Sequence, residues 1–177
     1  MNTYTFTLLL VPGPELNADL EDQLFIAGCD DALVGVRDDV VFLDFDRQAE
    51  SPLEAILSAV EAVEAAADGL KVARVEPDEL VTAADIARRT GRSRESVRLL
   101  INGERGAGRF PTPVSGVHRR SRLWRWSAVV DWLLRHDPTM ELTGGDLART
   151  IAAVNGALEL RRNAAAASHD VLARLVG

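Results

Sequence analysis

The 177-residue chain contains one cysteine, three histidines, one tyrosine and three tryptophans, and aromatic residues make up only 5% of it. Each scarcity removes a class of explanation. Cys29 has no second cysteine to pair with, so no internal disulfide staples the fold. A lone thiol and the scattered His118, His136 and His169 lack the ligand spacing of a zinc site. No stretch reaches the roughly 18 consecutive apolar residues of a membrane-spanning helix. The opening MNTYTFTLLLVPGPEL has no basic residue ahead of its apolar run, unlike a secretory signal, so a cytoplasmic protein with no membrane partner is expected. A glycine-rich nucleotide loop, a metal-ligating cluster and a nucleophile beside a base are all missing from the pattern. No enzymatic activity, cofactor or metal is therefore expected.

Positive charge is also scarce until the middle of the chain. Residues 1–80 hold 18 Asp and Glu against 4 Lys and Arg, whereas residues 81–125 hold 3 against 11, in a chain of net charge −7. A compact basic block joined to a strongly acidic one is the electrostatic footprint of a surface that meets phosphates.

The acidic block reads as alternating strands and amphipathic helices. Tyr4 to Leu10 alternates and stops at Pro12-Gly13-Pro14. Leu16, Leu20, Leu24 and Phe25 then share one helical face that closes at Gly28. Two apolar runs, Ala32 to Val36 and Val40 to Phe45, flank a turn at Arg37-Asp38-Asp39. Ser51, Pro52 and Glu54 mark the start of a helix with a capping box, whose apolar stripe is Leu53, Ile56, Leu57, Val60 and Val63. Leu70 to Val75 is a further strand. The order of strand, helix, strand, strand, helix, strand predicts an acidic ferredoxin-like βαββαβ domain over residues 1–76. Asp44 and Asp46 fall where an alternating strand points polar residues to solvent, with no acid/base partner nearby in sequence.

In the basic block, Thr82 and Asp85 have the spacing of a capping box, Gly91 suits the left-handed end of a short helix, and Ser93 caps a second helix over Arg94 to Ile101. Two short helices joined by a tight glycine turn form a helix-turn-helix. Ile86-Ala87, Gly91, Val97 and Leu100 occupy the small, turn and apolar positions of such motifs. With Phe110 to Val114, Arg122 to Ser127 and Val129 to Leu133, residues 79–136 resemble the winged helix-turn-helix modules of excisionase-like and phage-regulator-like proteins, relatives of the MerR DNA-binding domain. The resemblance implies an α+β chain in which residues 77–137 bind double-stranded DNA.

With Val97, Leu100 and Ile101 turned inward, Ser93, Arg94, Glu95 and Arg98 face outward on the helix expected to enter the major groove. Glu95 either orients an arginine or accepts from cytosine. A wing around His118-Arg119-Arg120, with Arg122 on its return strand, is expected to supply a second DNA contact, and Arg105 and Arg109 in the Gly-rich connection either contact the DNA backbone or solubilise a loop. Trp126 and Trp132 read as core. Over residues 138–177, Leu147, Ile151, Val154 and Leu158 form a helical stripe that suits either a dimerising coiled coil or a helix folded back on its own chain. The expectation is a sequence-specific bacterial transcriptional regulator, a homodimer being the usual solution for a module of this size, with a small molecule or protein as partner of the acidic domain. An architectural excisionase-like factor and an interaction protein that binds a basic partner are the alternatives.

Overall fold

The computed structural model describes residues 1–13, 15–77, 80–106, 108–116, 122–140 and 145–163. Among these it is a mixed α+β chain with six helices and a four-stranded antiparallel sheet. It divides into two compact units, Met1–Pro77 with Thr150–Gly177, and Asp78–Arg149. Residues 138–177, expected as a segment of their own, are thus shared between the units.

The first unit runs β1 (Asn2–Leu10), α1 (Ala18–Ile26), β2 (Ala32–Arg37), β3 (Val40–Ala49), α2 (Pro52–Ala66) and β4 (Val72–Glu76), with sheet order β2-β3-β1-β4. Alternation sends Phe6, Leu8 and Leu10 of β1, and Val41, Leu43, Phe45 and Ala49 of β3, into one core. On the opposite face Thr5 and Thr7 donate their hydroxyls to Asp46 and Asp44, at 2.7 and 2.6 Å, so both aspartates lie outward as their strand position requires. Asp38 and Asp39 both take positive φ, 49° and 62°, which fits the two-residue hairpin turn whose twist matches its strands. Arg37 is already paired with Val40 and belongs to the strand.

Two helical stripes differ from the sequence pattern. On α2 the buried residues are Ala55, Ile56, Ala59 and Val63, while Leu53 and Leu57 are 50% and 42% exposed. Alanines at the contact let the helix lie close to the sheet, and that close approach turns the two leucines outward. The Glu54 carboxylate takes the N–H of Glu50 instead of that of Ser51. On α1, Leu20 and Leu24 are buried but Phe25 is 66% exposed, because a nine-residue helix presents only its central stripe to the core.

Arg47 is buried within this unit. Its guanidinium forms a bidentate pair with Asp31 (2.9 and 2.7 Å), donates to the Gly28 carbonyl at 2.5 Å and lies over the Phe45 ring at 4.7 Å. Four contacts compensate the desolvation of the charge. Beyond β4, the helix α6 (Gly145–Arg162) buries Ile151, Val154 and Leu158, so the stripe that suited a coiled coil is already covered by its own chain.

The second unit pairs β5 (Leu80–Val81) with β6 (Trp124–Arg125) and packs α3 (Ala83–Thr90), α4 (Arg94–Ile101) and α5 (Trp126–His136) together with the first turns of α6. Val81, Ile86, Val97, Val129, Trp132 and Ala148 belong to one apolar cluster. Trp124 and Trp126 join Trp132 in it, 2% and 5% exposed.

Candidate nucleic-acid interface

α3 begins with a complete capping box. Thr82 Oγ1 accepts the Asp85 N–H at 3.2 Å, and Asp85 Oδ2 accepts the Thr82 N–H at 3.0 Å and its hydroxyl at 2.7 Å. These bonds to Thr82 hold the Asp85 carboxyl below its ordinary range. Gly91 ends the helix at φ 65°, where its N–H reaches back to the α3 carbonyls and the chain turns without the strain a β-carbon would meet. Two residues on, Ser93 Oγ accepts the Ser96 N–H and α4 starts. Val97 and Leu100 are buried under α3, which leaves Ser93, Arg94, Glu95 and Arg98 exposed. The outward face of α4 thus presents a row of polar side chains to solvent, while its apolar residues face α3.

Within that row the charges are unequal. Arg98 donates Nε and Nη2 to Glu95, at 3.0 and 2.8 Å, and Nη1 to Glu104 at 3.3 Å, while Asn102 steadies Glu104 at 2.8 Å. The bond from Arg98 lowers the Glu95 carboxyl, and that carboxylate raises the guanidinium in turn. Arg98 is therefore paired with two exposed carboxylates, of its own helix and the loop that follows. Arg94 has neither a hydrogen bond nor an ion pair among the described residues and is the free cation of the helix.

Comparison with known proteins adds nothing here. No family model, curated protein or solved structure matches the chain.

Of the remaining expected contacts, Arg105 follows directly on α4, its backbone N–H donating to the Leu99 carbonyl at 3.2 Å. Arg105 and Arg109 are exposed on the Gly-rich connection, Arg109 at φ 51°. That loop is pinned by two indole donors, Trp132 to the Gly108 carbonyl and Trp124 to the Pro111 carbonyl, at 3.2 and 3.0 Å, and by Phe110 set edge-on to both rings. Arg122 is half-buried with its guanidinium 5.5 Å from the centre of the Trp124 ring. An antiparallel bridge joins Ser115 to Leu123, the base of the expected wing, whereas Arg119 and Arg120 lie outside the described residues. No hydrogen bond or ion pair joins the side chains of Arg105, Arg109 or Arg122 to those of α4 among the described residues.

Two arginines that the spacing argument passed over do meet α4. Arg88 and Arg92 line, with Arg94, Asp85 and Gly91, a concavity of about 530 Å³ at the turn. Arg92 reaches the Met140 sulfur at 3.4 Å, and its buried Nε has no hydrogen-bond partner among the described residues. The signal was the density of arginines around Gly91, read as a charge total instead of as positions about a turn. Among the described residues no group of three or more His, Cys, Asp or Glu stands where it could hold a metal ion, and no helix is long and apolar enough to cross a membrane.

Proposed function

We propose that the chain is a sequence-specific DNA-binding protein, a bacterial transcriptional regulator, in which residues 78–149 act as a winged helix-turn-helix with α4 as recognition helix. The first unit, whose element and strand order fit a ferredoxin-like domain, adds sensing or oligomerisation. The observation that carries the reading is the pair α3 and α4, joined by left-handed Gly91 with Arg94, Glu95 and Arg98 on the outer face of the second helix. Two short helices crossed in this way leave the second free to enter a groove about 12 Å wide. At the turn, Arg94, together with Arg88 where its exposed pair with Asp85 gives way to an anion, suits the flanking phosphates. The acidic first unit makes general affinity for polyanions a poor explanation of the basic block, because it repels the same phosphates.

The test is selection of genomic fragments by the purified full chain at moderate salt. Enrichment of one recurring sequence is the expected result. Binding without any sequence preference over competitor would leave the architectural reading in place, and no binding would remove both.

A further inference from the structure

The two edges of the four-stranded sheet are finished differently. At β4, the Asn155 side chain bonds both backbone groups of Val75 and Arg161 donates to the Val72 carbonyl. At the other edge, no strand among the described residues lies beyond β2. The Asp46 N–H donates to the Asp31 carbonyl, and these two residues continue the β2–β3 register in which Leu33 opposes Asp44. In an antiparallel pair bonded residues alternate with unbonded ones, so Leu33, Gly35 and Arg37 bond inward to β3. Ala32, Val34 and Val36 then aim their backbone groups outward. Of these, the Ala32 N–H is taken by the Cys29 carbonyl, and the rest have no partner among the described residues.

β2 also lacks what normally blunts an exposed edge. It has no lysine, no proline and no inward charge, and its Leu33 and Val36 are 70% and 53% exposed. We propose that β2 is a self-association edge, pairing antiparallel with β2 of a second copy about a two-fold axis at Val34.

The register follows from the side chains. Outward backbone groups must meet outward groups, so even-numbered residues oppose even-numbered ones. With the axis at Val34, Val36 opposes Ala32, Leu33 opposes Gly35 and Arg37 opposes Asp31. The Phe42 ring covers Gly35 so closely that a β-carbon there would lie 2.5 Å from its Cζ, so Leu33 of the second copy meets a glycine backed by an aromatic ring. The Asp31 carboxylate is held by Arg47 on the helix-covered face, whereas Arg37 lies on the open face with Phe42 and Asp44, so these two charges make no pair across the edge. An axis at Gly35 would instead set Asp39 across from Asp31 and Leu33 across from Arg37. The fit of exposed Leu33 over Gly35 and its Phe42 ring, in place of Leu33 against a charge, selects Val34. Two six-residue strands fall at the small end of specific interfaces, below about 800 Å² per partner, the size of weak and transient contacts, and a dissociation constant of roughly 1–100 μM is expected.

Sedimentation equilibrium of the full chain, without DNA, from about 1 to 300 μM spans that range and is expected to show monomer and dimer. Leu33→Lys adds a charge at an exposed position and leaves the core untouched, so it should raise the dissociation constant roughly tenfold or more. Val34→Pro removes an outward donor without touching the bonds to β3 and should act in the same direction. Oxidative cross-linking reads the register. Val34→Cys should link, its two copies facing across the axis about 5.5 Å apart, whereas copies of Val36→Cys lie roughly 13 Å apart along the strands and should not. The proposal is overturned by a monomer throughout the range, by a dimer that Leu33→Lys leaves unchanged, or by Val36→Cys linking in preference to Val34→Cys.

Discussion

Asn155 makes both hydrogen bonds that a neighbouring strand would offer Val75. Its Oδ1 accepts the Val75 N–H at 2.8 Å and its Nδ2 donates to the Val75 carbonyl at 2.9 Å, across 80 positions of sequence. One side-chain amide thus finishes an edge that would otherwise leave a half-buried donor and acceptor unmet. Asn155→Ala should lower unfolding stability by about 1–3 kcal/mol in urea titration, since both backbone groups lose their partner at once. Asn155→Asp keeps the acceptor alone, and an equal loss for both variants would show that the donor half carries the effect.

Arg47 and Asp31 form a planar, bidentate pair that a lysine cannot reproduce. Arg47→Lys should therefore cost about 2 kcal/mol, moderated because Asp31 remains partly in water. Chemical denaturation of the two proteins side by side measures it. A change under about 0.5 kcal/mol, the range of ordinary surface substitutions, would mean that the fork geometry is unimportant.

The neighbouring Cys29 is 3% exposed, and burial pushes its thiol up to about 11, opposed by Arg47 and aided by Asp31 and Asp30. Reaction needs the thiolate, so at pH 8 a disulfide reagent should label the native protein only as fast as it opens. Full labelling in denaturant, and none within minutes without it, is the expected contrast.

Glu64 accepts from the Val72 N–H, Arg161 and Lys71. Burial alone would raise its carboxyl, but these bonds outweigh it and the net shift is downward. A carboxyl lowered by folding stabilises above its ordinary range and loses that contribution as pH falls toward its folded value. Glu64→Gln should thus be less stable than the parent at pH 7, by about 1 kcal/mol, with the gap closing below about pH 4. Urea midpoints measured across that range test the sign. A gap that widens in acid would contradict it.

On the proposed DNA-binding reading, Arg94 and Arg98 divide the work of α4. Arg94 has no ion-pair partner among the described residues, so Arg94→Ala should weaken binding to all sequences and reduce the slope of log affinity against log salt by about 1. Arg98 is paired with Glu95 and Glu104, and if it exchanges them for a base edge, as this reading proposes, Arg98→Ala should relax preference at one position of the site. Glu95→Gln releases Arg98 and should shift preference without lowering affinity for random DNA. Salt-dependent anisotropy titrations on selected and scrambled duplexes separate the three.

The features legible in the sequence are those governed by near neighbours. Alternation in Phe6 to Leu10 fixes which side chains face inward, because the strand period is two whatever lies above it. Thr82 with Asp85, Ser93, and Gly91 mark the ends of α3 and α4 because capping bonds and left-handed backbone are settled within four residues. That is why the outward face of α4 could be named from spacing. Tertiary structure decided the rest, through partners distant in the chain. The inward face of α2 turned from its leucines to its alanines when the sheet supplied a surface to approach. Arg47, by composition one more surface charge, became buried because Asp31, Gly28 and Phe45 converge on it. The stripe of α6, ambiguous between a second copy and its own chain, was settled by burial of Ile151, Val154 and Leu158, and Asn155 beside them became the cap of a strand 80 positions away. A hydrogen-bonding side chain carries no mark of which distant backbone will need it, so only the packed chain assigns that partner.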